Sequence, residues 1–410
     1  MGDLWEPGTA DKPQVSLDGL QEFCHEVFCS FPRSDQRRWG ELYVRGLLTV
    51  PGRKTVRKIS DLVAGGGAEQ CLQQFVNQST WEWSPVRRDL AERVAGETRP
   101  YCWIFKEVVF PKNGDRSAGV AKQFTQSARR LLNCQRAIAA FLASPQGCFP
   151  VNWRLILPKT WDTDESRREP ARVPDAERCL PTWQHILSMA EEMADDWKLP
   201  SAPVIADLRV ERHASALACG LEALNLHYVL RVAEDRPATI IGSGRATQRT
   251  LSFAEVILSS LRRDPAAMRT WQVPAHRPGM SSFLVTQLPD GPADDPHVPY
   301  PRPVLSRRYK KEPGARPVRY VAAEWSSARR SAKSTWLTTL DALRQPSLAE
   351  LAMLCGQADS DLGDLYASTG LLHFEGRSYP GWHHYVTLVS AARAWSHLCG
   401  APADDMLAAL

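Results

Sequence analysis

The chain has 410 residues, of which 43% are hydrophobic and 23% charged, with a formal net charge of +4. This length favours two or three structural units, and the composition is ordinary for a soluble globular protein and excludes a low-complexity chain. No apolar run reaches the ~20 residues that span a bilayer, and the N-terminus lacks the pattern of a secretory signal, so a cytoplasmic protein is predicted.

Metal-binding patterns are weak in the sequence. The ten cysteines include no C-x-x-C pair and no Cys/His spacing of a zinc site, so they are predicted to be reduced and mostly buried. His383 and His384 are adjacent and point to different faces of a helix. They are therefore predicted to pack in the core.

Positive charge gathers near the N-terminus. Basic residues grouped in this way can neutralise phosphates and release counterions, which makes them a candidate DNA-binding surface. The alternative is a solvated helix face. The group, called here the N-terminal cation group, consists of Arg37, Arg38, Arg45, Arg53, Lys54, Arg57 and Lys58.

Residues 18–95 are predicted to be helical. Near the end of this region Ser84 is predicted to be an N-cap, with Pro85 at the first helical position. Val86, Leu90 and Val94 then follow on one face of the helix, so this face is predicted to be buried.

The residues after 102 have the pattern of strands. Residues 102–110 and 117–124 are predicted to form a hairpin around the Asn113-Gly114 turn. Further strands are predicted at 134–142 and 151–157, then a helix at 183–198. A further short apolar strand, 204–207, ends in Asp207, where a carboxylate would stand at the edge of a sheet.

Four regions are predicted from this pattern. They are a helical N-terminal region (1–95), the first part of a core (96–234), a β-rich insertion (235–316), and a C-terminal helical part of the core (317–410). The insertion is rich in Pro, Gly and Arg and is too long for a simple loop. The order of strands and helices is that of an α/β ribonuclease-H-like fold with an insertion before the last helices.

Several strings of the sequence resemble the DDE transposases of the insertion-sequence group numbered seven hundred and one. They occur in the family's order and span residues 20–395. The strings are FPRSDQRRWG (31–40), YVRGLL (43–48), QQFVNQS (73–79), NCQ (133–135), VNWRL (151–155), PVIAD (203–207), HFEGRS (373–378) and GWHH (381–384).

The resemblance implies a ribonuclease-H-like nuclease core that acts on DNA. In such a core three carboxylates hold two Mg²⁺ ions about 4 Å apart, which activate the nucleophile and stabilise the leaving oxygen. Asp207 corresponds to the second of these acids. Glu107 and Asp359 are the candidates for the other two, so the predicted metal ligands are Asp207, Glu107 and Asp359.

This chain departs from the family at the other positions. Lys106 stands at the first Asp of the family's Asp-Asp pair, where its charge would repel a metal ion, and Glu107 stands at the second. Asp359 corresponds to the third acid, which is a Glu in the family. Cys355 and Tyr366 replace the Arg and Lys that contact phosphate in the family. Nearby acids, Asp361 and Asp364, are predicted to share a solvated acidic face with Asp359.

Three functions follow from these residues. The first is a transposase-like, DNA-binding protein impaired in cleavage, acting as a homo-oligomer or in mixed assembly with an active relative. The second is an enzyme for a small-molecule substrate in the old cleft, with Lys106 as a catalytic base or nucleophile. The third is an active Mg²⁺-dependent transposase that uses Asp207, Glu107 and Asp359.

Overall fold

The computed structural model describes residues 17–125, 129–211, 213–235, 237–241, 248–263, 269–272, 280–288, 317–326, 333–340 and 348–399. The helices are α1 (Leu20–Val27), α2 (Ser34–Thr49), α3 (Val56–Val63), α4 (Glu69–Asn77), α5 (Trp83–Thr98), α6 (Glu165–Arg168), α7 (Thr182–Glu191), α8 (Ala214–Ala223), α9 (Phe253–Arg263), α10 (Leu348–Asp364) and α11 (Tyr379–Leu398). The strands are β1 (Cys102–Pro111), β2 (Ala121–Thr125), β3 (Arg130–Ser144), β4 (Gly147–Ile156), β5 (Val204–Asp207), β6 (Tyr228–Val232), β7 (Pro237–Ile241), β8 (Gln248–Ser252), β9 (Arg269–Gln272), β10 (Met280–Gln287), β11 (Tyr320–Ser326) and β12 (Ser334–Thr338).

A mixed sheet forms the centre of the fold. Its core strands lie in the order β4-β3-β1-β5-β6, with β3 antiparallel to both β4 and β1, and with β1, β5 and β6 parallel. The short strand β5 is buried from Val204 to Ala206, as expected for a central parallel strand covered on both faces. This α/β architecture agrees with the predicted ribonuclease-H-like fold.

Helices cover both faces of the sheet. On one face, Trp153 of β4 donates its ring N–H to Ser390 of α11 (2.9 Å), and α10 also packs against the strands there. On the other face, α7 contacts β3 and β4, and α8 contacts β6. None of the described helices is long and apolar enough to cross a membrane.

The predicted hairpin of residues 102–110 and 117–124 is wrong. β1 pairs along its whole length with β3, from Cys102 opposite Ala143 to Pro111 opposite Cys134. β2 pairs with the start of β3 instead. The 15-residue strand β3 is long enough to pair with β1 and still extend beyond it, and the Asn113-Gly114 pattern carries no information about such a distant partner.

Helices α1, α2, α4 and α5 pack against α11, so the first and last parts of the chain share one hydrophobic core. Val86, Leu90 and Val94 of α5 are fully buried, which confirms the predicted face. The predicted N-cap is wrong, because α5 begins at Trp83, and Ser84 donates its hydroxyl to Glu192 (2.7 Å). The domain boundary between residues 95 and 96 stays a prediction.

The described parts of region 235–316 contribute strands. β7 and β8 form a separate antiparallel pair, while β9 and β10 extend the main sheet beyond β11 and β12. Residues 289–316 and several shorter stretches of the predicted insertion lie outside the described residues.

Buried polar groups join α5, β4 and α11. Arg87 of α5 is fully buried and donates to the Thr387 hydroxyl (2.8 Å), the Trp153 carbonyl (2.8 Å) and the His383 carbonyl (3.1 Å). His383 and His384 are each 1% exposed, which confirms their prediction as core residues. This network places charge inside the core, where it must be paired.

A buried histidine on α7 makes stability depend on pH. Burial, and then the charge of Arg154, lower the pKa of His185 to about 4 from the usual 6.5. The neutral side chain therefore favours the folded state above the unfolded pKa, and this contribution is lost as the pH falls from about 6.5 towards 4. Between about pH 7.5 and 4.5 we expect wild type to lose about 2 kcal/mol more unfolding free energy than His185→Gln.

Denaturant titrations at several pH values measure this difference. The exposed His25 provides the matched control, since His25→Gln should keep the wild-type pH dependence. Equal pH dependence in wild type and His185→Gln would contradict the assignment.

Candidate functional site

Asp207 lies at the carboxyl end of β5, as predicted, with its side chain 43% exposed. Arg209 holds the carboxylate with two side-chain nitrogens, Nε at 2.9 Å from Oδ1 and Nη2 at 2.7 Å from Oδ2. Both oxygens thus accept from one planar guanidinium, the strong bidentate arrangement. The bond to Asp207 raises the pKa of Arg209, so the guanidinium stays charged.

Lys106 and Asp359 form an ion pair next to Asp207. The β1–β5 register ends with Phe105 opposite Ala206, which places Lys106 beside Asp207 on the same face of the sheet. From there the Lys106 ammonium binds the Asp359 carboxylate of α10 and lies 3.5 Å from the Cys355 carbonyl. The ion-pair cluster, Lys106, Asp207, Arg209 and Asp359, thus stands where the resemblance places a metal centre.

Glu107 lies on the opposite face of β1. Successive strand residues point to opposite faces, so Glu107 faces away from Lys106. Its carboxylate pairs with Arg136 of β3. Burial acts to lower the pKa of Arg136, but the bond and charge of Glu107 outweigh it and raise that pKa. The structure does not bring Glu107 together with Asp207 and Asp359, because a one-residue step along a strand reverses direction.

Two arginines that lie next to predicted site residues, Arg231 beside Asp207 and Arg136 beside Glu107, were not predicted from the sequence. Arg231 of β6 stands in register with Asp207, with Nη1 3.7 Å from the carboxylate, and its guanidinium lies over the Trp336 ring at 5.7 Å. Arg136 is the other. A charged residue inside an apolar strand, as in Tyr-Val-Leu-Arg-Val (228–232), is the only signal that could have identified Arg231.

Cys355 and Tyr366 lie close to the same charges. Burial raises the pKa of the Cys355 thiol to about 12, with contributions from Lys106 and Asp207 of opposite sign. Burial, and then the Asp359 charge, raise the pKa of Tyr366 to about 12. Both side chains are therefore neutral near pH 7 and supply no charge for phosphate.

The predicted acidic face is wrong for Asp361. This side chain is buried and accepts from Arg393 of α11 (3.0 Å) and from the Cys148 backbone N–H (3.0 Å). Asp359 and Asp364 are exposed. Residues two apart on a helix point in different directions, so Asp361 faces the core while Asp359 faces Lys106.

The donors present do not fit a two-metal centre. Asp359 is bound by an ammonium, Asp207 is bound by a guanidinium, and Glu107 faces the other side of the sheet. Within the described part of the chain, no group of three or more His, Cys, Asp or Glu side chains is arranged to hold a metal ion. A cation adjacent to each carboxylate repels Mg²⁺, so these residues do not form a site for a pair of metal ions.

Some members of the N-terminal cation group are exposed in the fold, and others are buried or bound by neighbouring residues. Arg38, Arg53, Arg57 and Lys58 are exposed, although Arg53 lies 3.1 Å from Glu375. Arg37 donates to the Phe31 carbonyl (2.6 Å), and Arg45 pairs with Glu41 (3.0 Å). Lys54 is 6% exposed and donates to the Val50 carbonyl, so its prediction as a surface contact is wrong. Lys54 lies in the connection between α2 and α3, where the path of the chain turns its side chain inward, and grouping in sequence cannot reveal this.

A cavity of about 120 Å³ lies among α2, α3, α4 and the segment before α11. Its walls include Lys54, Arg57, Asn77 and His373, and none of the residues of the ion-pair cluster. In the ion-pair cluster itself, Asp207 and Asp359 are 43% and 69% exposed, so the cluster is open to solvent.

Comparison with known protein families gives a match that includes the strands of the candidate site. Residues 26–252 match the family described as DDE superfamily endonuclease. No curated protein matches the chain. The match covers more than half of the 410 residues and includes α2 to α8 and the strands that carry Lys106 and Asp207. The chain therefore belongs to the DDE superfamily endonucleases.

Proposed function

We propose that this protein is a transposase-like DNA-binding protein that does not cleave DNA by two-metal chemistry. The observation that carries the proposal is the ion-pair cluster, in which Lys106 binds Asp359 and Arg209 chelates Asp207. In this cluster, protein cations stand next to the carboxylates that would otherwise attract metal ions. The fold is retained, but this face lacks the free carboxylates that would hold two metal ions for in-line phosphoryl displacement.

DNA is the proposed partner because the family acts as endonucleases and the surface offers cations. Arg38, Arg57 and Lys58 are exposed, and no ion pair joins Arg57 or Lys58 to any described residue. Exposed cations of this kind bind phosphate with a strong dependence on salt. A copy that binds element ends without cutting them would inhibit an active relative, either alone or in a mixed assembly.

The geometry does not favour the small-molecule enzyme. That function requires Lys106 and its neighbours to line an enclosed apolar pocket. Instead, Lys106 is held by Asp359, and the two aspartates of the ion-pair cluster are open to solvent.

Binding and cleavage assays on the full chain test the proposal. We expect a labelled duplex to bind at about 50 mM salt with equal affinity in Mg²⁺ and in EDTA, and to dissociate steeply towards 200 mM. Arg57→Gln/Lys58→Gln should reduce the salt slope by about 2, since each phosphate contact contributes about 0.9. The matched control is a pair of exposed cations elsewhere, Lys159→Gln/Arg178→Gln, which should leave the slope unchanged.

Two results would refute the proposal. Absence of duplex binding by wild type at low salt would exclude the DNA-binding function. Mg²⁺-dependent nicking of a supercoiled plasmid that Asp207→Ala abolishes would show that the metal chemistry survives.

A further inference from the structure

A two-stranded arm exposes apolar side chains at the edge of the sheet. β2 pairs with the first residues of β3, and we call residues 121–125 with 130–134 the β2–β3 ribbon. Phe124 and Leu131 lie directly opposite each other in this ribbon and are 56% and 70% exposed. A large apolar cross-strand pair left in water is unfavourable unless it serves an interaction.

The same segment is strongly basic. Residues 112–136 contain six basic residues and one acid, Asp115, and no acidic residue occurs again until Asp162. Arg116, Lys122, Arg129 and Arg130 form no ion pair with any described residue. The chain as a whole has a net charge of only +4, so this arm concentrates positive charge well above the average.

The ribbon lies on the same face and at the same end of the sheet as the ion-pair cluster. Lys106 is in register with Ala139 of β3, and Leu131 is eight residues earlier in that strand, so the two point to the same face. Lys122 and Phe124 of β2 share this face through their partners Asn133 and Leu131. At about 3.3 Å per residue, Leu131 lies about 26 Å beyond Lys106, in the direction of the carboxyl ends of β1 and β5.

We propose that the β2–β3 ribbon is a DNA-binding arm that grips duplex DNA extending from the old active-site edge. Lys122, Arg129 and Arg130 contact phosphates, and Phe124 and Leu131 make apolar contact within the groove. A two-stranded ribbon fits the major groove of B-DNA, and apolar side chains between cations suit a partner with an anionic backbone and flat bases. The inference rests on the proposed DNA-binding function and assigns a second, separate surface to it.

Anisotropy titrations of a labelled 30-base-pair duplex with the full chain test the inference. Lys122→Gln/Arg129→Gln/Arg130→Gln should lower the salt slope by about 2 to 3, one step of about 0.9 for each lost phosphate contact. Phe124→Ser/Leu131→Ser should weaken binding about tenfold without changing the slope, because it removes base or sugar contact and no charge. Leu180→Ser, at an apolar side chain that is 41% exposed elsewhere, is the matched control and should bind as wild type does.

The outcomes separate the two proposals. Wild type that binds duplex, together with ribbon variants that bind equally well, would overturn the arm and leave the proposed function standing. Failure of wild type to bind would overturn both. Light scattering gives a further criterion. If the protein forms a dimer without DNA, and if Phe124→Ser/Leu131→Ser dissociates this dimer, the ribbon is a contact between copies of this chain and the DNA-binding arm is overturned. Circular dichroism melts that match wild type establish that the exposed-residue variants are folded.

Discussion

Lys106→Asp/Arg209→Gly is expected to bind Mn²⁺ or Mg²⁺ at this face, and wild type is expected not to. The first change replaces the ammonium next to Asp207 with a carboxylate, and the second releases the Asp207 oxygens from the guanidinium. Asp359, freed from Lys106, completes a set of three carboxylates on one face of the sheet. With metal at about ten times its Kd, the variant should gain about 1.4 kcal/mol of stability.

Thermal melts with and without Mn²⁺, followed by calorimetric titration, measure this gain. Arg209→Gly alone is the matched control, because it keeps Lys106 and should show no metal-dependent shift. Glu107→Asp is a second control, since its carboxylate stays on the other face against Arg136. Metal binding by wild type, or a double variant with no response to metal, would contradict the role given to Lys106.

Arg87→Ala is expected to destabilise the protein by about 3 to 5 kcal/mol, the usual cost of breaking a buried charged network by removing one partner. The guanidinium is fully buried between α5, β4 and α11, so its removal deprives the Thr387 hydroxyl and the Trp153 and His383 carbonyls of one donor each. Burial lowers the pKa of Arg87 to about 9, with Arg154 adding to the shift and Glu192 opposing it.

A chain of hydrogen bonds connects the buried Arg87 charge to the Glu192 carboxylate. Asn152 accepts from Arg87 (3.4 Å) and donates to Glu192 (2.9 Å), and Arg154 also binds Glu192 (2.6 Å). Asn152 and Arg154 belong to VNWRL (151–155), one of the strings that resemble the family.

Denaturant unfolding monitored by tryptophan fluorescence measures the effect. Arg88→Ala is the matched control one residue away, because Arg88 is exposed and pairs with Asp89 and Glu92 on its own helix, so its loss should cost at most about 0.5 kcal/mol. Arg87→Lys should be intermediate, since an ammonium keeps the charge and loses the planar fork of donors. A loss below about 1 kcal/mol for Arg87→Ala would show that the network does not stabilise the fold.

The sequence predicted the elements whose signals are local. The stripe of Val86, Leu90 and Val94 identified the buried face of α5, and the apolar run before Asp207 placed this acid at a strand end. Local signals failed where a distant partner decided the outcome. The Asn113-Gly114 turn suggested a hairpin, but β1 pairs with β3, which has a longer run of apolar residues than residues 117–124 have.

By itself the sequence, through its resemblance to the family, predicted a cation at the first acidic position of a DDE-type core and Asp207 at the second. Only the tertiary structure decided what surrounds them. The alternation of side chains along β1 sends Glu107 to Arg136 and Lys106 to Asp359, and the register of β5 and β6 brings Arg231 to Asp207. The reason is that a charge acts over a few ångströms of space, and residues 106, 207 and 359 become neighbours only when the parallel strands and α10 have packed.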